Sequence, residues 1–270
     1  MARRKIQGWD KVADQLFFNV EEVPLTAILP DDNLQISSHK AIIRTDNNEI
    51  LSVVGSEYQL VKNEEVFTEL YKALPSGGEI TVKEAWTTNG GGRSFFELIM
   101  TNGHNSQIKA VGMPVANRLV VTNSYDRSRK FSLMAGLMVL ECTNGMMSHM
   151  TRTELASFHL KSQDIYGKID QVKEFVKIDS GRLLNYERYA KAMISDPGEC
   201  IKQMAGLIRF PEKYEQAVVK RAEKSLKNYW DLYQCFTETI THDMDSPQRR
   251  LQFEFRLDRE FETAFDRWSN

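Results

Sequence analysis

Polar, aromatic and cationic residues are concentrated between two apolar runs near the middle of the chain. The runs span 108–121 and 131–140. Between them lies Thr122-Asn123-Ser124-Tyr125-Asp126-Arg127-Ser128-Arg129-Lys130, and Glu141-Cys142-Thr143-Asn144-Gly145 follows the second run. A protein core has little use for so many hydrogen-bonding groups at strand ends, because burying them without partners costs free energy. The pattern therefore predicts a functional site here.

The cationic residues of this segment suit a phosphate backbone. If Arg127 and Arg129 lie on a strand, they share one face about 7 Å apart, a spacing that fits successive phosphates of an extended single strand. Each guanidinium can bind two phosphate oxygens, and the ring of Tyr125 offers a surface on which a base can stack. The sequence thus predicts a binding surface for single-stranded nucleic acid made of Arg118, Tyr125, Arg127, Arg129 and Lys130. A solvated hairpin tip with scattered charges is the alternative.

A second hypothesis is catalytic and rests on Cys142, His159, Asp126 and Asn144. A thiol nucleophile needs a base and a group that orients the base, and a histidine with a carboxylate or amide can supply both. The competing interpretation is that Cys142 is a small core residue, since free cysteine is among the most buried residue types. The cysteines and histidines lack the spacings of known metal sites, so no metal or cofactor is predicted.

A glycine-rich stretch, Asn89-Gly90-Gly91-Gly92-Arg93, is a further candidate. Successive backbone N–H groups in such a stretch can cradle a phosphate. No lysine follows at the spacing of a nucleotide-binding loop, and the next residues favour a strand rather than a helix. The tip of a hairpin spanning about 83–95 is the favoured interpretation.

Composition limits the classes of function. The chain has 270 residues, 41% hydrophobic and 27% charged, with a formal net charge of −2, so nucleic acid could be bound only through a local basic patch. Three well-separated cysteines favour a reducing compartment. No apolar stretch approaches the roughly 20 residues needed to span a bilayer, and the basic start is not followed by the apolar core of a signal peptide. We expect a cytoplasmic protein without membrane contact.

The chain changes character near residue 165. Before it, short β-branched and aromatic runs are separated by turn signals such as Asp46-Asn47-Asn48, which predict hairpins. One helix interrupts them, with Asn63 as its expected N-cap and Pro75 at its end. Beyond residue 165, helical periodicity predicts helices near 183–195, 197–208, 211–243 and 248–268. The predicted fold is α+β, with an antiparallel, hairpin-rich domain over 1–165 carrying one crossing helix, and a helical region over 166–270.

Three blocks of the sequence resemble a family known only as domain of unknown function 932, which phages and plasmids encode. The blocks are 53–67, which begins Val-Val-Gly-Ser-Glu-Tyr; a central set of Asn123-Ser124-Tyr125-Asp126, Gly136, Cys142-Thr143-Asn144-Gly145 and His159; and a late helical block over 230–242. Where many members have histidine and arginine, this chain has Tyr125 and Val139. These departures favour binding over catalysis. The resemblance implies a mobile genetic element in a bacterial host cell and no particular reaction.

Three functional hypotheses follow. The leading one is a phage- or plasmid-encoded single-stranded DNA-binding or annealing protein that acts in recombination or replication, because the expected sheet and helix are similar to those of phage single-strand annealing proteins, which form oligomers. The second is a hydrolytic enzyme that uses the cysteine, histidine, aspartate and asparagine set. The third is an accessory protein that blocks a host defence protein through the aromatic helix near 248–268.

Overall fold

The computed structural model describes residues 8–73, 79–101, 106–140, 145–147, 154–172 and 180–269. It contains two antiparallel sheets, with most of the helices in the C-terminal part. The predicted α+β class is therefore confirmed. None of the helices in these ranges is both long enough and apolar enough to cross a membrane.

The ten strands of the described ranges are β1 Val20–Ile28, β2 Asn33–Arg44, β3 Glu49–Gly55, β4 Glu79–Thr88, β5 Arg93–Thr101, β6 Ser106–Ile108, β7 Met113–Ser124, β8 Phe131–Val139, β9 Gly145–Met147 and β10 Glu154–Ser157. The eight helices of the same ranges are α1 Trp9–Leu16, α2 Asn63–Ala73, α3 Ile165–Asp170, α4 Ser180–Lys191, α5 Pro197–Ile208, α6 Glu212–Ser225, α7 Tyr229–Asp243 and α8 Pro247–Trp268.

The chain divides into two compact units that are interleaved in sequence. The first unit comprises 1–100, 119–134 and 154–176, and the second comprises 101–118, 135–153 and 177–270. The chain passes between the units inside β5, β7 and β8, and again after 153 and 176. The division near residue 165 inferred from periodicity lies between the last two passages. The first three occur within continuous strands, where composition does not change.

In the first unit, β1, β2 and β3 form a three-stranded antiparallel sheet in that order. The turn between β2 and β3 contains Asn48 with a φ of 59°, as the Asp-Asn-Asn sequence predicts, because asparagine tolerates the left-handed region. The larger sheet has the order β10-β8-β7-β5-β4, and β4 and β5 form the second predicted hairpin with the glycine-rich residues at its tip. Helices α1, α2 and α3 bury apolar side chains with this part of the sheet, among them Leu16, Phe67, Leu70, Leu98, Val121, Phe131 and Ile165.

The second unit is mainly helical. Its core gathers aromatic and aliphatic side chains from α4 to α8, including Tyr186, Tyr189, Met204, Trp230, Phe236, Leu257 and Phe261. The single helix expected over 211–243 is wrong, because two helices occupy this range. Leu226 has an extended conformation, and the side chain of Asn228 accepts a hydrogen bond from the backbone N–H of Asp231, which starts α7 with an N-cap.

Three aromatic residues of α8 pack inside their own unit. Phe253, Phe261 and Phe265 are all buried in its core, whereas Phe255 and Trp268 are half-buried. Most of the aromatic surface that the third hypothesis assigned to a host protein is thus covered within the unit. The hypothesis itself stays a prediction.

Candidate functional site

A cleft of about 420 Å³ opens on the surface of the first unit. The described residues that line it are Tyr58, Arg127, Ser128, Arg129, Lys130, Phe158, His159 and Leu160. Three of them carry positive charge, three have aromatic rings, and none is acidic. The cleft therefore joins a positive rim to ring surfaces within one unit.

Three segments of the first unit converge to form the cleft. The turn at 125–130 connects the end of β7 to the start of β8. Strand β10 pairs with β8 so that Ser157 faces Phe131, which brings the residues after β10 beside the turn. A β-bridge between Tyr58 and Leu160 attaches the segment that follows β3. Residues separated by about 100 positions in sequence thus meet because strand pairing places their segments side by side.

The cations of the cleft lie in a turn and not on a strand. Arg127 is exposed and has a φ of 62°, so the alternating geometry expected for Arg127 and Arg129 is wrong. The guanidinium carbon of Arg129 lies 5.5 Å from the ring centroid of Phe95, and partial burial lowers the pKa of that side chain. Lys130 places its Nζ 4.3 Å from the ring centroid of Phe158. All three residues still reach the same cleft.

Phe158 presents an apolar surface to solvent. Its side chain is 54% exposed, and Leu160, which also lines the cleft, is 40% exposed, so the two offer apolar surface at the same place as the cations. Beside it, the imidazole of His159 stacks on the ring of Tyr58 with a centroid separation of 5.5 Å and an interplanar angle of 19°. The Tyr58 hydroxyl donates to the carbonyl of Ser124 at 3.0 Å. Tyr58 is therefore fixed, whereas the Phe158 ring is accessible.

A buried hydrogen-bond network holds His159 in place. Its Nε2 lies 2.7 Å from Oδ1 of Asn123, and the Asn123 Nδ2 donates to the carbonyl of Val61 and to Oδ1 of Asn63. Since Asn123 uses its amide nitrogen for these two bonds, its Oδ1 is an acceptor and His159 carries a proton on Nε2. Burial lowers the pKa of His159 to about 4, so the imidazole is neutral at pH 7.

Asn63 extends this network. Its Nδ2 donates to the carbonyl of Leu16 and to Oγ of Ser94. The side chain thus connects α1 and β5 to the start of α2. The expectation that Asn63 caps the helix is wrong. The helix itself is present where the periodicity predicts it. A polar residue at the first position of α2 therefore has a tertiary partner rather than a local one.

Tyr125 is an internal residue of the same region. Its side chain is 1% exposed, its hydroxyl accepts a hydrogen bond from the N–H of Asn63 at 2.8 Å, and its ring contacts Phe18 edge to face. The expectation that Tyr125 stacks a base is incompatible with this burial. The ring packs in the interior beneath the turn at 125–130 and is not available to a ligand in this conformation.

Arg118 is also removed from the proposed binding surface. It belongs to the second unit, it is 4% exposed, and its Nη1 lies 2.5 Å from Oε2 of Glu254. A buried arginine paired in this way cannot neutralise a phosphate without first exposing the glutamate. Of the five predicted nucleic-acid contacts, the structure brings together Arg127, Arg129 and Lys130.

The carboxylate of Asp126 is held by hydrogen bonds within the first unit. Its carboxylate accepts hydrogen bonds from Asn89 Nδ2 at 3.0 Å, Arg93 Nε at 3.1 Å and the backbone N–H of Ser128 at 3.0 Å. Burial acts to raise the pKa of Asp126, but hydrogen bonds from Ser128 and Asn89 and the charge of Arg93 bring it below its ordinary value. The carboxylate thereby attaches the glycine-rich turn to the turn that carries the cations.

The two described members of the predicted catalytic set, Asp126 and His159, do not bond to each other. Asp126 bonds to the glycine-rich turn, and His159 bonds to Asn123. Cys142 and Asn144 lie outside the described residues, as does His149. Asp126 therefore has the contacts of a structural residue, and the catalytic hypothesis stays a prediction without support from these contacts.

Sequence reasoning did not assign Phe158 or Tyr58 to the site. Tyr58 stood out only as part of the first block of the family resemblance. Phe158 precedes the signature residue His159, and two exposed apolar residues flank that buried histidine, Phe158 and Leu160. An alternation of this kind after a short strand was the available signal.

One of three comparisons with known proteins gives a match. The sequence model described as "Domain of unknown function (DUF932)" matches residues 50–259, and the chain therefore belongs to that family. No curated protein and no solved structure matches the chain. The matched range contains each of the described residues that line the cleft.

Proposed function

We propose that this member of a family of unknown function binds single-stranded nucleic acid in the cleft of its first unit. The strand is exposed during recombination or replication, in the phage or plasmid setting that the family resemblance implies. The observation that supports this proposal is the joining of Arg127, Arg129 and Lys130 to the exposed ring of Phe158 in one cleft.

The three cations supply the contacts to phosphate. Binding a strand through them releases condensed counterions, which makes affinity depend on salt concentration. The protein as a whole is slightly acidic, so this local group has to supply the attraction. The described lining contains no carboxylate, and Asp126, whose charge acts on Tyr58 and Arg129, is bonded to Asn89 and Arg93 outside that lining.

The stacking surface is Phe158 rather than Tyr125. Base–aromatic stacking contributes about 1–3 kcal/mol per base and tolerates different sequences, because every base has a π face. Lys130 already lies over the Phe158 ring, so a phosphate bound by the lysine leaves a base within reach of the aromatic surface. Paired bases inside a duplex cannot use this surface without being unstacked, which favours single strands.

The test measures binding of a fluorescent oligonucleotide to a variant in which Arg127, Arg129 and Lys130 are all changed to alanine. A matched control removes three exposed lysines of the second unit, Lys202, Lys220 and Lys224. We expect the cleft variant to lose at least roughly tenfold in affinity and the magnitude of its log–log salt slope to fall by about 2, since each single-strand phosphate contact contributes about 0.7. The control variant should bind like the wild type.

Two results would refute the proposal. One is equal affinity of the cleft variant and the control variant at every salt concentration. The other is wild-type binding to a duplex of the same sequence that is as tight as binding to the single strand. Thermal unfolding of each variant verifies that the substitutions leave the fold intact, and all six substituted side chains are at least partly exposed.

A further inference from the structure

His159 occupies an unusual position for a histidine beside a group of cations. His159 is one of the residues that line the cleft, yet its Nε2–H is committed to Asn123, a residue that is fully buried. The tautomer is thereby set by the network behind the ring and not by the ligand. Histidines in binding sites commonly have their tautomer fixed in this way by the partner of the second nitrogen.

The consequence is that Nδ1 carries a lone pair and no proton. The two ring nitrogens point in divergent directions, so Nδ1 is turned away from Asn123. It makes no hydrogen bond with any residue that the structure describes. The low pKa of His159 keeps it in this form throughout the neutral range, because a second proton would place a charge next to the buried network.

An acceptor at this position cannot be a phosphate ligand. A phosphate oxygen offers only lone pairs at neutral pH, and two acceptors facing each other repel. The phosphates therefore belong with Arg127 and Lys130 at the rim, and the group that reaches His159 must donate a hydrogen. In a polynucleotide, the donors that remain after the phosphates are placed are base N–H groups and sugar hydroxyls.

We infer that His159 is a base-reading residue whose Nδ1 accepts a hydrogen bond from the Watson–Crick edge of an unpaired base that stacks on Phe158. This inference rests on the proposed function and assigns the orientation of the strand, with bases inward and phosphates outward. It also gives a second reason for preferring single strands. Thymine has one N–H donor, N3–H, and in a duplex that donor is used by adenine.

The experiment compares two ligands that differ only in this donor. One is an oligothymidylate of about 12 nucleotides, within the usual range of single-strand site sizes, and the other has 3-methylthymine throughout. Methylation removes the N3–H donor and leaves the ring face and the phosphates. The wild-type protein should bind the unmodified strand about tenfold more tightly, the cost of leaving one buried acceptor without its partner.

The matched variant is His159→Phe, which keeps a ring beside Tyr58 and has no atom that can accept a hydrogen bond. We expect this variant to bind both strands with equal affinity. His159→Gln is the control, because its amide N–H₂ can donate to Asn123 while its Oε1 remains an acceptor. The control should retain a preference for the unmodified strand.

The outcomes separate the inference from the proposed function. If the wild type binds both strands equally and the cleft substitutions still weaken binding, the inference is wrong and the proposed function stands. If His159→Phe retains the tenfold preference, methylation acts through bulk and His159 does not read the base. If neither strand binds the wild type, both proposals fall.

Discussion

The buried network around His159 makes the stability of the first unit depend on pH. The pKa of His159 is lowered from its ordinary value of 6.5 to about 4 because burial disfavours the charged imidazole. The unfolded chain therefore binds a proton between pH 6.5 and 4 that the folded chain does not. In that window the stabilisation present above pH 6.5 is lost as the pH falls.

The size of the effect follows from the two pKa values. One pKa unit corresponds to about 1.4 kcal/mol, so the full difference amounts to about 3 kcal/mol below pH 4, and about 2 kcal/mol is already lost between pH 7 and pH 4.5. This loss is a large part of the stability of a typical domain. Carboxylates also titrate in this range, so the histidine contribution has to be isolated by difference.

The assay is urea unfolding of the wild type and of His159→Gln at several values between pH 4.5 and pH 7. The variant keeps the carboxylates and lacks the titrating ring. Between pH 7 and pH 4.5 the wild type should therefore lose about 2–3 kcal/mol more unfolding free energy than the variant. An NMR titration of the His159 ring gives its pKa in the folded protein directly. The burial of His159 would not control stability if the difference in unfolding free energy between the wild type and the variant did not change with pH, or if the ring titrated near pH 6.5.

Two further predictions concern the packing that positions the site and the second unit. Gly91 has a φ of 104°, and a Cβ there would lie 2.6 Å from Cζ of Phe18, so Gly91→Ala should lower the unfolding free energy by about 1–3 kcal/mol. Gly206 lies on α5, where a Cβ meets no described atom within 4 Å, so Gly206→Ala should raise the unfolding free energy by about 0.5–1 kcal/mol. Equal effects of the two substitutions in denaturant unfolding would contradict this. Arg182 and Asp258 form a buried ion pair, so Arg182→Met should cost about 3–5 kcal/mol by leaving a buried carboxylate without its guanidinium, and Arg182→Met combined with Asp258→Leu should recover much of that cost. A double variant no more stable than the single one by the same assay would be the contrary result.

Much of the local structure is predictable because its causes lie within a few residues. Asn48 favours the left-handed conformation of its turn, and Pro197 favours the first position of α5, without help from distant residues. The break between α6 and α7 was missed, although Asn228 supplies a local N-cap. The apolar periodicity continues through 226–228 and conceals it.

The candidate site was predictable only in part. Arg127, Arg129 and Lys130 are close in sequence and share the cleft, so a basic segment was sufficient to find them. Arg118 lies within β7 and Tyr125 directly follows it, and both are buried because their side chains bond to internal partners, Glu254 and the backbone of Asn63. Residue type cannot separate these cases, since arginine and tyrosine occur both at binding surfaces and in buried pairs.

The sequence by itself determined the fold class, most of the element positions, the basic segment and the family. Tertiary structure alone decided which polar residues are ligand-facing and which are structural. Strand pairing brings Phe158 and His159 beside a turn some 30 residues earlier in the chain, and Asn123 fixes the histidine from behind. These contacts depend on which segments the sheet places side by side and on which side chains lose water, and neither is a property of a local stretch of residues.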